Sequence, residues 1–364
     1  MIVKSLEFSD FRNLQDNKIY PGENVNVIFG DNAQGKTNLL EAVWLFSGGH
    51  SFRGSKESEL TKFGSTNSQL KMEFFSQGRD QSAQIKFSKN KKEITINNVV
   101  KPSSAYLSQC FCAVVFSPEH LSLVKNGPAL RRKFIDGAIC QQDVKFAVLL
   151  SKYNRTVFQR NTLLREIVRH PELKDTLCIW DDALIASGAK IIKRRFDYIN
   201  KLSSVAREMH LGISSGKEEL SIEYLSQSGV DINDSEAVIT DKLRAGFEKG
   251  LREDIKLCCT NYGPHRDDLD FVINGFRAKT YASQGQQRSI ILSLKLSEAQ
   301  MLWKYFDEPP VVLLDDVMSE IDKGRQEFLL CNTKGCQTFI TGCEPPVIKS
   351  DDNMIFTIEK GEVK

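Results

Sequence analysis

Apolar and polar residues alternate in several short segments of the N-terminal part of the chain. A half-buried strand has this two-residue period, because successive side chains point to opposite faces of a sheet. The segments are MIVKSLEFSDF, NVNVIF, QLKMEFF, AQIKF and EITINN, and turn residues follow two of them at 78–80 and 88–92. The pattern predicts β structure into which one helix, TNLLEAVWLF, is inserted.

The central part of the chain has a helical pattern. No proline occurs from Ala129 to His170, and Pro171 predicts the end of the first long helix. Its apolar positions at helical spacing are Tyr153, Val157, Leu164 and Val168. A second helix has a seven-residue repeat that would seat it along the first as an antiparallel arm. The positions of that repeat are Leu184, Ile191, Tyr198, Leu202, Val205 and Met209.

The β pattern returns after Asn261. Apolar runs bounded by turn residues, such as VVLL in residues 311–314, predict buried parallel strands. We therefore predict an α/β fold in which residues 1–120 and 255–364 form a head that is split in sequence. Residues 121–254 form a mostly helical insertion, with LSIEYL as a strand within it.

Composition indicates an ordinary globular protein. The chain of 364 residues can bury a sizeable core, and its formal net charge of +2 does not indicate nucleic acid by itself. No apolar run approaches the roughly 18 residues of a membrane span, and the N-terminal segment carries charges where a signal peptide is apolar. We therefore expect a cytoplasmic protein without a membrane partner. The 9 cysteines lack the spacing of a zinc site and are expected to be buried, reduced thiols.

The segment GDNAQGKT, residues 30–37, matches the phosphate-binding pattern G-x-x-x-x-G-K-[ST] between an apolar strand and a helix. In such loops the backbone amides face the phosphates, the lysine reaches the β and γ oxygens, and the threonine ligates magnesium. The pattern therefore predicts a site for ATP and Mg²⁺, with Lys36 also assigned to catalysis. The predicted ATP-binding residues of this loop are Gly30, Asp31, Asn32, Ala33, Gln34, Gly35, Lys36, Thr37 and Asn38.

The segment VVLLDDVMSEID, residues 311–322, supplies the carboxylates that this site needs. Its strand would present Asp315 to magnesium, together with Thr37, and Asp316 to the attacking water as the catalytic base. Taken alone, the segment is also compatible with a strand that ends in a solvated acidic turn. The phosphate-binding loop favours the catalytic interpretation.

The segment SQGQQ, residues 283–287, begins a long apolar helix. Taken alone it is more often a polar helix cap. It lies in the chain after the phosphate-binding loop and before the acidic strand, which resembles the order in ABC-type ATPase heads. In those heads this signature motif serves the neighbouring subunit. Ser283, Gly285 and Gln286 are therefore predicted to approach the γ-phosphate bound to a second copy.

The head resembles the SMC and Rad50 group, in which an arginine of an N-terminal FRN motif reaches the nucleotide, and Arg12 occupies that place. Over nearly its full length the chain resembles the RecF family of bacterial recombination mediators. The segments that carry this resemblance are FRNL (11–14), GDNAQGKT (30–37), SFR (51–53), FSPEHLSLVKNGPALRRKFID (116–136), YGPHRDDLDF (262–271), SQGQQR (283–288) and LLDDVMSEID (313–322).

This resemblance implies an ABC-type P-loop ATPase head with an antiparallel β subdomain and an inserted α-helical arm. It implies ATP and Mg²⁺ as ligands, an ATP-induced homodimer, and double-stranded, gapped or junction DNA as a partner. It also implies a role in recombinational repair and replication-fork maintenance, where the protein helps to load recombinase with a RecR-like partner. Slow ATP hydrolysis would reset the dimer.

Several positions matter for the comparison with ABC heads. Asp316 stands where those heads often have glutamate, and Thr341 stands where transporters have a switch histidine. Gln109 is a candidate for the Q-loop glutamine by proximity alone. Ser319 and Asp322 match the D-loop, which would cross the dimer interface.

Basic residues cluster on or beside the predicted arm. They are Arg131, Arg132 and Lys133, followed by Lys190, Lys193, Arg194 and Arg195. Such a cluster is equally often a solvated helix face or a track for DNA phosphates, and both interpretations stay open.

His265 and Arg266 are further candidates for phosphate contacts, while Asp267 and Asp268 would cap or pair internally. A metal site at these residues is the weaker alternative.

Two other functions use a similar head. The ATPase subunit of a membrane transporter would need a transmembrane partner and usually the switch histidine. An SMC-like tether would need a much longer insertion, because an arm of about 40 residues spans only about 60 Å.

Overall fold

The computed structural model describes residues 1–88, 91–343 and 353–364. The strands are β1 (Ile2–Ser9), β2 (Asn17–Ile19), β3 (Val25–Phe29), β4 (Asn67–Ser76), β5 (Arg79–Ser88), β6 (Lys91–Ile96), β7 (Val99–Lys101), β8 (Ala113–Phe116), β9 (Leu220–Leu225), β10 (Asp268–Ile273), β11 (Phe276–Arg277), β12 (Val311–Leu314), β13 (Thr338–Gly342), β14 (Met354–Glu359) and β15 (Glu362–Val363). The helices are α1 (Lys36–Trp44), α2 (Ser122–Lys125), α3 (Pro128–Gln142), α4 (Val144–Ile167), α5 (Leu177–Ile213), α6 (Glu236–Leu257), α7 (Ala278–Tyr281), α8 (Gln284–Phe306), α9 (Val317–Glu320) and α10 (Lys323–Asn332).

A mostly parallel sheet has the strand order β15-β14-β3-β13-β12-β8. Neighbouring strands from β14 to β8 are parallel, and Leu313 of β12 lies between Val115 of β8 and Phe339 of β13. Every residue of β8 and β12 is buried, as expected for strands that are covered on both faces. The prediction of buried parallel strands is confirmed. The carboxyl ends of β3, β8, β12 and β13 therefore lie along one edge of the sheet.

A second sheet is antiparallel, with the order β2-β1-β4-β5-β6-β7. Alternate residues of β4 are buried, among them Leu70, Met72 and Phe74, which confirms the two-residue period. Phe74 packs edge-on against Phe111 at 5.5 Å between ring centroids, within a core that both sheets share. The antiparallel β subdomain is thus present.

The chain folds as two compact units. The first consists of Met1–Leu121, Glu208–Glu218 and Gln284–Lys364, and the second of Ser122–Arg207 and Glu219–Ser283. The second unit contains helices and a three-stranded sheet, β11-β10-β9. This division differs from the predicted boundary at residue 255. The reason is that β10 pairs with β9 of the insertion, with Phe271 opposite Ile222.

The two long helices of the second unit agree with their predicted patterns in part. Asp143 caps α4 by accepting hydrogen bonds from the backbone amides of Lys145 and Phe146 at 2.9 and 3.2 Å. On α4, Tyr153 and Leu164 are buried, whereas Val168 lies past the helix end and is 64% exposed. Four positions of the repeat on α5 are buried, namely Leu184, Ile191, Tyr198 and Leu202.

All 9 cysteines lie within the described residues and are free thiols, as expected. Cys110, Cys112 and Cys336 are buried, whereas Cys178, Cys331 and Cys343 are exposed. The expectation of buried thiols therefore holds for only some of them.

Candidate functional site

The loop between β3 and α1 folds around the ammonium group of Lys36. Lys36 Nζ donates hydrogen bonds to the carbonyl oxygens of Gly30 at 2.5 Å and Asp31 at 3.3 Å. Gly30 has a φ of 157°, and a β-carbon there would lie 2.3 Å from the carbonyl oxygen of Ile358, so this position requires glycine. The loop thus holds one buried positive charge at the start of a helix, an arrangement that suits a phosphate.

Thr37 and Asp315 meet beside this loop. Thr37 Oγ1 donates to Asp315 Oδ1 at 2.8 Å, and Thr341 Oγ1 donates to the same oxygen at 3.1 Å. Burial raises the pKa of Asp315 to about 6, while these two hydroxyl groups act to lower it. Hydroxyl and carboxylate oxygens are ligands that Mg²⁺ accepts together with phosphate oxygens and water. The two side chains therefore fit the predicted magnesium site.

Asp316 lies at the turn from β12 into α9, with a left-handed φ of 52°. Its backbone amide donates to Thr341 Oγ1 at 2.9 Å, and Ser319 Oγ donates to its carbonyl oxygen at 2.9 Å. Thr341, which occupies the place of a switch histidine, therefore holds the turn that separates the two carboxylates. The role of Asp316 as the base stays a prediction.

Arg12 is paired with a carboxylate in this structure. Arg12 Nε and Nη2 donate to the two carboxylate oxygens of Glu41 at 2.9 and 3.1 Å, and Nη1 donates to the Glu59 carbonyl oxygen. Glu41 is fully buried on α1 and also accepts from the Ser51 hydroxyl.

The neighbouring Asn13 contacts the phosphate-binding loop directly, because its Nδ2 donates to the Ala33 carbonyl oxygen at 3.2 Å. The contact of Arg12 with nucleotide stays a prediction.

Two further side chains follow strands at the same edge of the sheet, and the sequence patterns did not indicate them. Glu119 follows β8 and accepts from Ser117 Oγ at 3.1 Å, and its charge adds to the effect of burial in raising the pKa of Asp315. Cys343 follows β13, and its Sγ lies 3.5 Å from Lys36 Nζ. Each comes just after an apolar strand, and Glu119 also lies within the segment 116–136 that carries the family resemblance.

Gln109 does not lie at this edge. It precedes β8, whose carboxyl end lies at the same edge of the sheet as that of β3, so Gln109 is at the opposite end of that strand. There its carbonyl oxygen accepts from Gln77 Nε2 at 2.7 Å. The candidate Q-loop assignment of Gln109 is therefore wrong, because the strands of this sheet are parallel.

The signature motif begins α8, with Ser283 directly before the helix and Gly285 and Gln286 in its first turn. Arg325 of α10 holds this turn, since its Nη2 donates to the Gly285 carbonyl oxygen at 3.3 Å and its Nε to Ser289 Oγ at 3.0 Å. Asp322 of the predicted D-loop caps α10 and pairs with the same arginine. Arg325 thus joins the signature turn to the D-loop.

A second contact joins the signature turn to the end of α5. Gln286 Nε2 donates to Glu218 Oε1 at 2.9 Å, and the other oxygen of Glu218 lies 3.2 Å from His210 Nε2. His210 is fully buried and its Nδ1 lies 3.0 Å from Ser293 Oγ of α8. Burial lowers the pKa of His210.

Two of the arginines predicted to contact DNA are buried in ion pairs. Arg131 is 3% exposed and binds both oxygens of Asp268 at 2.7 and 2.8 Å. Arg195 is 2% exposed and binds both oxygens of Asp136 at 2.9 and 2.8 Å, and it also donates to the Pro264 carbonyl oxygen. A guanidinium that is buried and paired in this way is not available to a phosphate, so both assignments are wrong.

His265 is also unsuited to bind phosphate. Its Nδ1 lies 2.7 Å from the Tyr153 hydroxyl and its Nε2 lies 3.0 Å from the Thr260 carbonyl oxygen. Burial lowers the pKa of His265 to about 4, so the ring is neutral at pH 7. Asp267 accepts from the Tyr224 hydroxyl at 2.6 Å, as its predicted internal pairing requires. Within the described ranges, no group of three or more His, Cys, Asp or Glu residues is arranged to hold a metal ion.

The remaining basic candidates are more accessible. The Arg194 side chain is 58% exposed, and its Nη2 lies 3.6 Å from Asp143 Oδ2. Lys193 Nζ lies 3.5 Å from Asp197 Oδ1. Arg266 is exposed and donates to the Thr260 carbonyl oxygen, while the half-buried Arg132 donates to the Asp267 carbonyl oxygen at 2.6 Å. Contact of these four residues with DNA stays a prediction.

The phosphate-binding loop, the acidic strand end and the mostly parallel sheet define an ABC-type P-loop ATPase head. Residues 2–363 match the family model of the RecF/RecN/SMC N-terminal domain. The chain belongs to the RecF family within that group. It is 39% identical over 368 residues to the DNA replication and repair protein RecF of Agathobacter rectalis, covering 100% of this chain and 99% of the relative. The RecF of Thermoanaerobacter pseudethanolicus is 40% identical over 365 residues, with coverage of 100% and 99%.

Solved structures agree with this assignment. A structure of the recombination mediator protein RecF with ATP in the RecFOR pathway is 38% identical, with a TM-score of 0.92 and coverage of 100% of this chain and 97% of that one. The Smc head domain of Pyrococcus furiosus has a TM-score of 0.54 at 14% identity, with coverage of 100% and 95%, and this likeness concerns the fold alone. Among the residues that the structure describes, no helix is both long enough and apolar enough to span a membrane.

Proposed function

We propose that this chain is an ATP-switched, DNA-binding protein of recombinational repair and replication-fork maintenance. ATP closes two copies into a head-to-head dimer that binds duplex, gapped or junction DNA and assists the loading of recombinase. Slow hydrolysis of ATP then reopens the dimer. The hydrogen bond between Thr37 and Asp315 beside the buried Lys36 is the observation that carries this proposal. Membership of the RecF family supports it over a transporter subunit or an SMC-like tether.

The nucleotide is held by the loop between β3 and α1. Lys36 exchanges its hydrogen bonds to the loop carbonyls for the β and γ phosphate oxygens, and the loop amides bind the remaining oxygens. Thr37 and Asp315 would hold Mg²⁺, which neutralises phosphate charge when bound. Asp316, held in its turn by Thr341, accepts the proton of the attacking water.

The second copy completes the site. In this proposal Ser283 and Gly285 at the start of α8 meet the γ-phosphate that the partner holds, so that ATP becomes part of the interface. ATP therefore shifts the population toward the dimer, because only the closed state offers both sets of contacts. The Arg325 contact with the Gly285 carbonyl oxygen supports this role, since it fixes the signature turn on the D-loop helix.

The nucleic-acid surface is assigned to the accessible cations of the second unit, Lys193, Arg194, Arg266 and, in part, Arg132. Phosphate contacts of this kind give affinity without sequence preference. A RecR-like protein is the proposed partner, which is supported by a similar solved chain that is described as a recombination mediator of the RecFOR pathway.

The test compares gapped, blunt and single-stranded DNA at fixed salt, with ATP and without it. We expect ATP to strengthen binding of the gapped or blunt duplex, and equal binding with and without ATP would contradict the proposal. A salt titration of Arg194→Glu assigns the surface. Loss of one phosphate contact should flatten the slope of log affinity against log salt by about 0.9, since each neutralised phosphate contributes that amount.

A further inference from the structure

Two large aromatic side chains are exposed just before the signature motif. Phe276 is 62% exposed and Tyr281 is 70% exposed. Their rings contact each other edge-on, with centroids 5.9 Å apart at an angle of 71°. Water-exposed aromatic pairs at one point of a surface mark interaction sites more often than single exposed residues do. Aromatic side chains are also enriched at the centres of protein interfaces.

The backbone that carries this pair is rigidly held. Phe276 follows a two-residue turn, in which Asn274 and Gly275 have φ values of 49° and 82°. Two successive positive φ values are typical of a type I′ turn, whose twist matches that of the two strands of a hairpin. Phe276 pairs with Ile273 across this turn. Two hydrogen bonds join the turn to Glu219. The Glu219 amide donates to Asn274 Oδ1 at 2.8 Å, and the Asn274 amide donates to the Glu219 carbonyl oxygen at 3.0 Å. The backbone at Phe276 is therefore preorganised, which lowers the entropic cost of binding there.

We propose that Phe276 and Tyr281 form a docking surface for a second copy of this chain, at the rim of the ATP-dependent interface. This inference rests on the proposed function, which places Ser283 against the nucleotide of the partner. Tyr281 is two residues before Ser283, so their α-carbons lie at most about 7 Å apart. A partner that reaches Ser283 therefore also covers Tyr281 and the ring packed against it.

The second copy fits this surface better than another occupant for two reasons. The aromatic pair continues directly into the motif that the proposed function assigns to the dimer interface. The exposed Lys279 lies between the two rings in sequence and would face the anionic nucleotide of the partner, whereas Arg277 beside it pairs with Asp270 at 3.2 Å within one copy. The pair supplies apolar area around the γ-phosphate contact and excludes water from it, as residues around an interface hot spot do.

The test uses the full chain with the double substitution Phe276→Ala and Tyr281→Ala. Sedimentation velocity gives the dimer dissociation constant with a non-hydrolysable ATP analogue, and titration of dilute, monomeric protein with a fluorescent ATP analogue gives the nucleotide affinity. The matched control is Tyr305→Ala. Tyr305 is 58% exposed and packs edge-on against Phe306 at 4.9 Å, but it lies at the other end of α8. The single variant Tyr281→Lys repeats the test with the Phe276 hairpin unchanged.

We expect the double variant to raise the dimer dissociation constant at least about tenfold, with monomer nucleotide affinity and melting temperature as in wild type and in Tyr305→Ala. If the double variant and Tyr281→Lys dimerise like wild type while Ser283→Arg does not, this inference is overturned and the proposed function stands. A lowered monomer affinity also overturns it, because the pair would then act within one copy. If wild type itself stays monomeric with the analogue, the proposed function and this inference both fail.

Discussion

Thr37 Oγ1 donates a hydrogen bond to Asp315 Oδ1 at 2.8 Å, although 278 residues separate the two in the chain. The contact joins the first turn of α1 to the carboxyl end of β12. It places a hydroxyl and a carboxylate oxygen where a magnesium ion bound to ATP would need them. The proposed role of this protein as a nucleotide switch depends on this pair.

Removal of the Thr37 hydroxyl should remove the magnesium-dependent part of ATP affinity. We expect Thr37→Val to bind ATP about tenfold more weakly in Mg²⁺, a loss of about 1.4 kcal/mol, and no more weakly in EDTA. Thr37→Ser keeps the hydroxyl and is the matched control. Isothermal titration calorimetry with Mg²⁺ and with EDTA measures the difference. A Thr37→Val protein that gains as much from Mg²⁺ as wild type would exclude Thr37 as a ligand.

Asp316→Asn should separate binding from hydrolysis. The amide keeps the size of the side chain but cannot accept the proton of the attacking water, while Asp315 and Thr37 stay in place. We expect ATP affinity like that of wild type, hydrolysis reduced at least about a hundredfold, and an ATP-bound dimer that persists. Phosphate release and sedimentation in ATP give the two readouts. Normal hydrolysis by this variant would assign the base to another residue, for example Glu119 at the same edge of the sheet.

Arg195 should contribute to stability rather than to DNA binding. Arg195→Met leaves Asp136 without its partner, and breaking a buried ion pair costs about 3–5 kcal/mol. The neighbouring Arg194 is the control, because its pair with Asp143 is exposed and Arg194→Gln should cost at most about 1 kcal/mol. Urea denaturation measures both free energies of unfolding. Equal effects of the two substitutions would contradict the buried role of Arg195.

The His265 ring should make the protein less stable at acidic pH. Burial lowers its pKa to about 4 in the folded chain, below the ordinary value near 6.5. The unfolded chain therefore binds the proton first, and the free energy of unfolding falls as pH drops from about 6.5 toward 4. Between pH 7.5 and 5 we expect wild type to lose about 2 kcal/mol more than His265→Gln. Urea denaturation at both pH values tests this, and parallel losses in the two proteins would contradict it.

The parts of the site that lie on continuous motifs could be predicted from the sequence. Lys36, Thr37 and Asp315 come together because each motif carries its own strand and turn, and strands that are buried on both faces read as apolar runs. The strand periods and the buried parallel strands followed in the same way from local patterns, whereas the antiparallel β subdomain was implied by the family resemblance.

The rest depends on partners that are distant in sequence. In the sequence, Arg131 and Arg195 have the pattern of exposed cations. In the structure they are buried and paired, Arg131 with Asp268, which is 137 residues away, and Arg195 with Asp136, which is 59 residues away. Glu119 and Cys343 belong to the nucleotide edge only because β8 and β13 run parallel to β3, and no local pattern states the strand order. The compact units differ from the predicted boundary of the insertion for the same reason, because β10 pairs with β9, and α6 separates these two strands in the chain.

We propose that the signature motif acts on the nucleotide that a second copy binds. Ser283→Arg tests this role, with the nucleotide affinity of dilute monomer and the ATP-dependent dimer measured on the same protein. We predict an unchanged monomer affinity together with loss of the dimer, whereas Lys36→Ala, the comparison variant, should lose both. A Ser283→Arg protein that dimerises in ATP like wild type, or that binds ATP as weakly as Lys36→Ala when monomeric, would contradict the account.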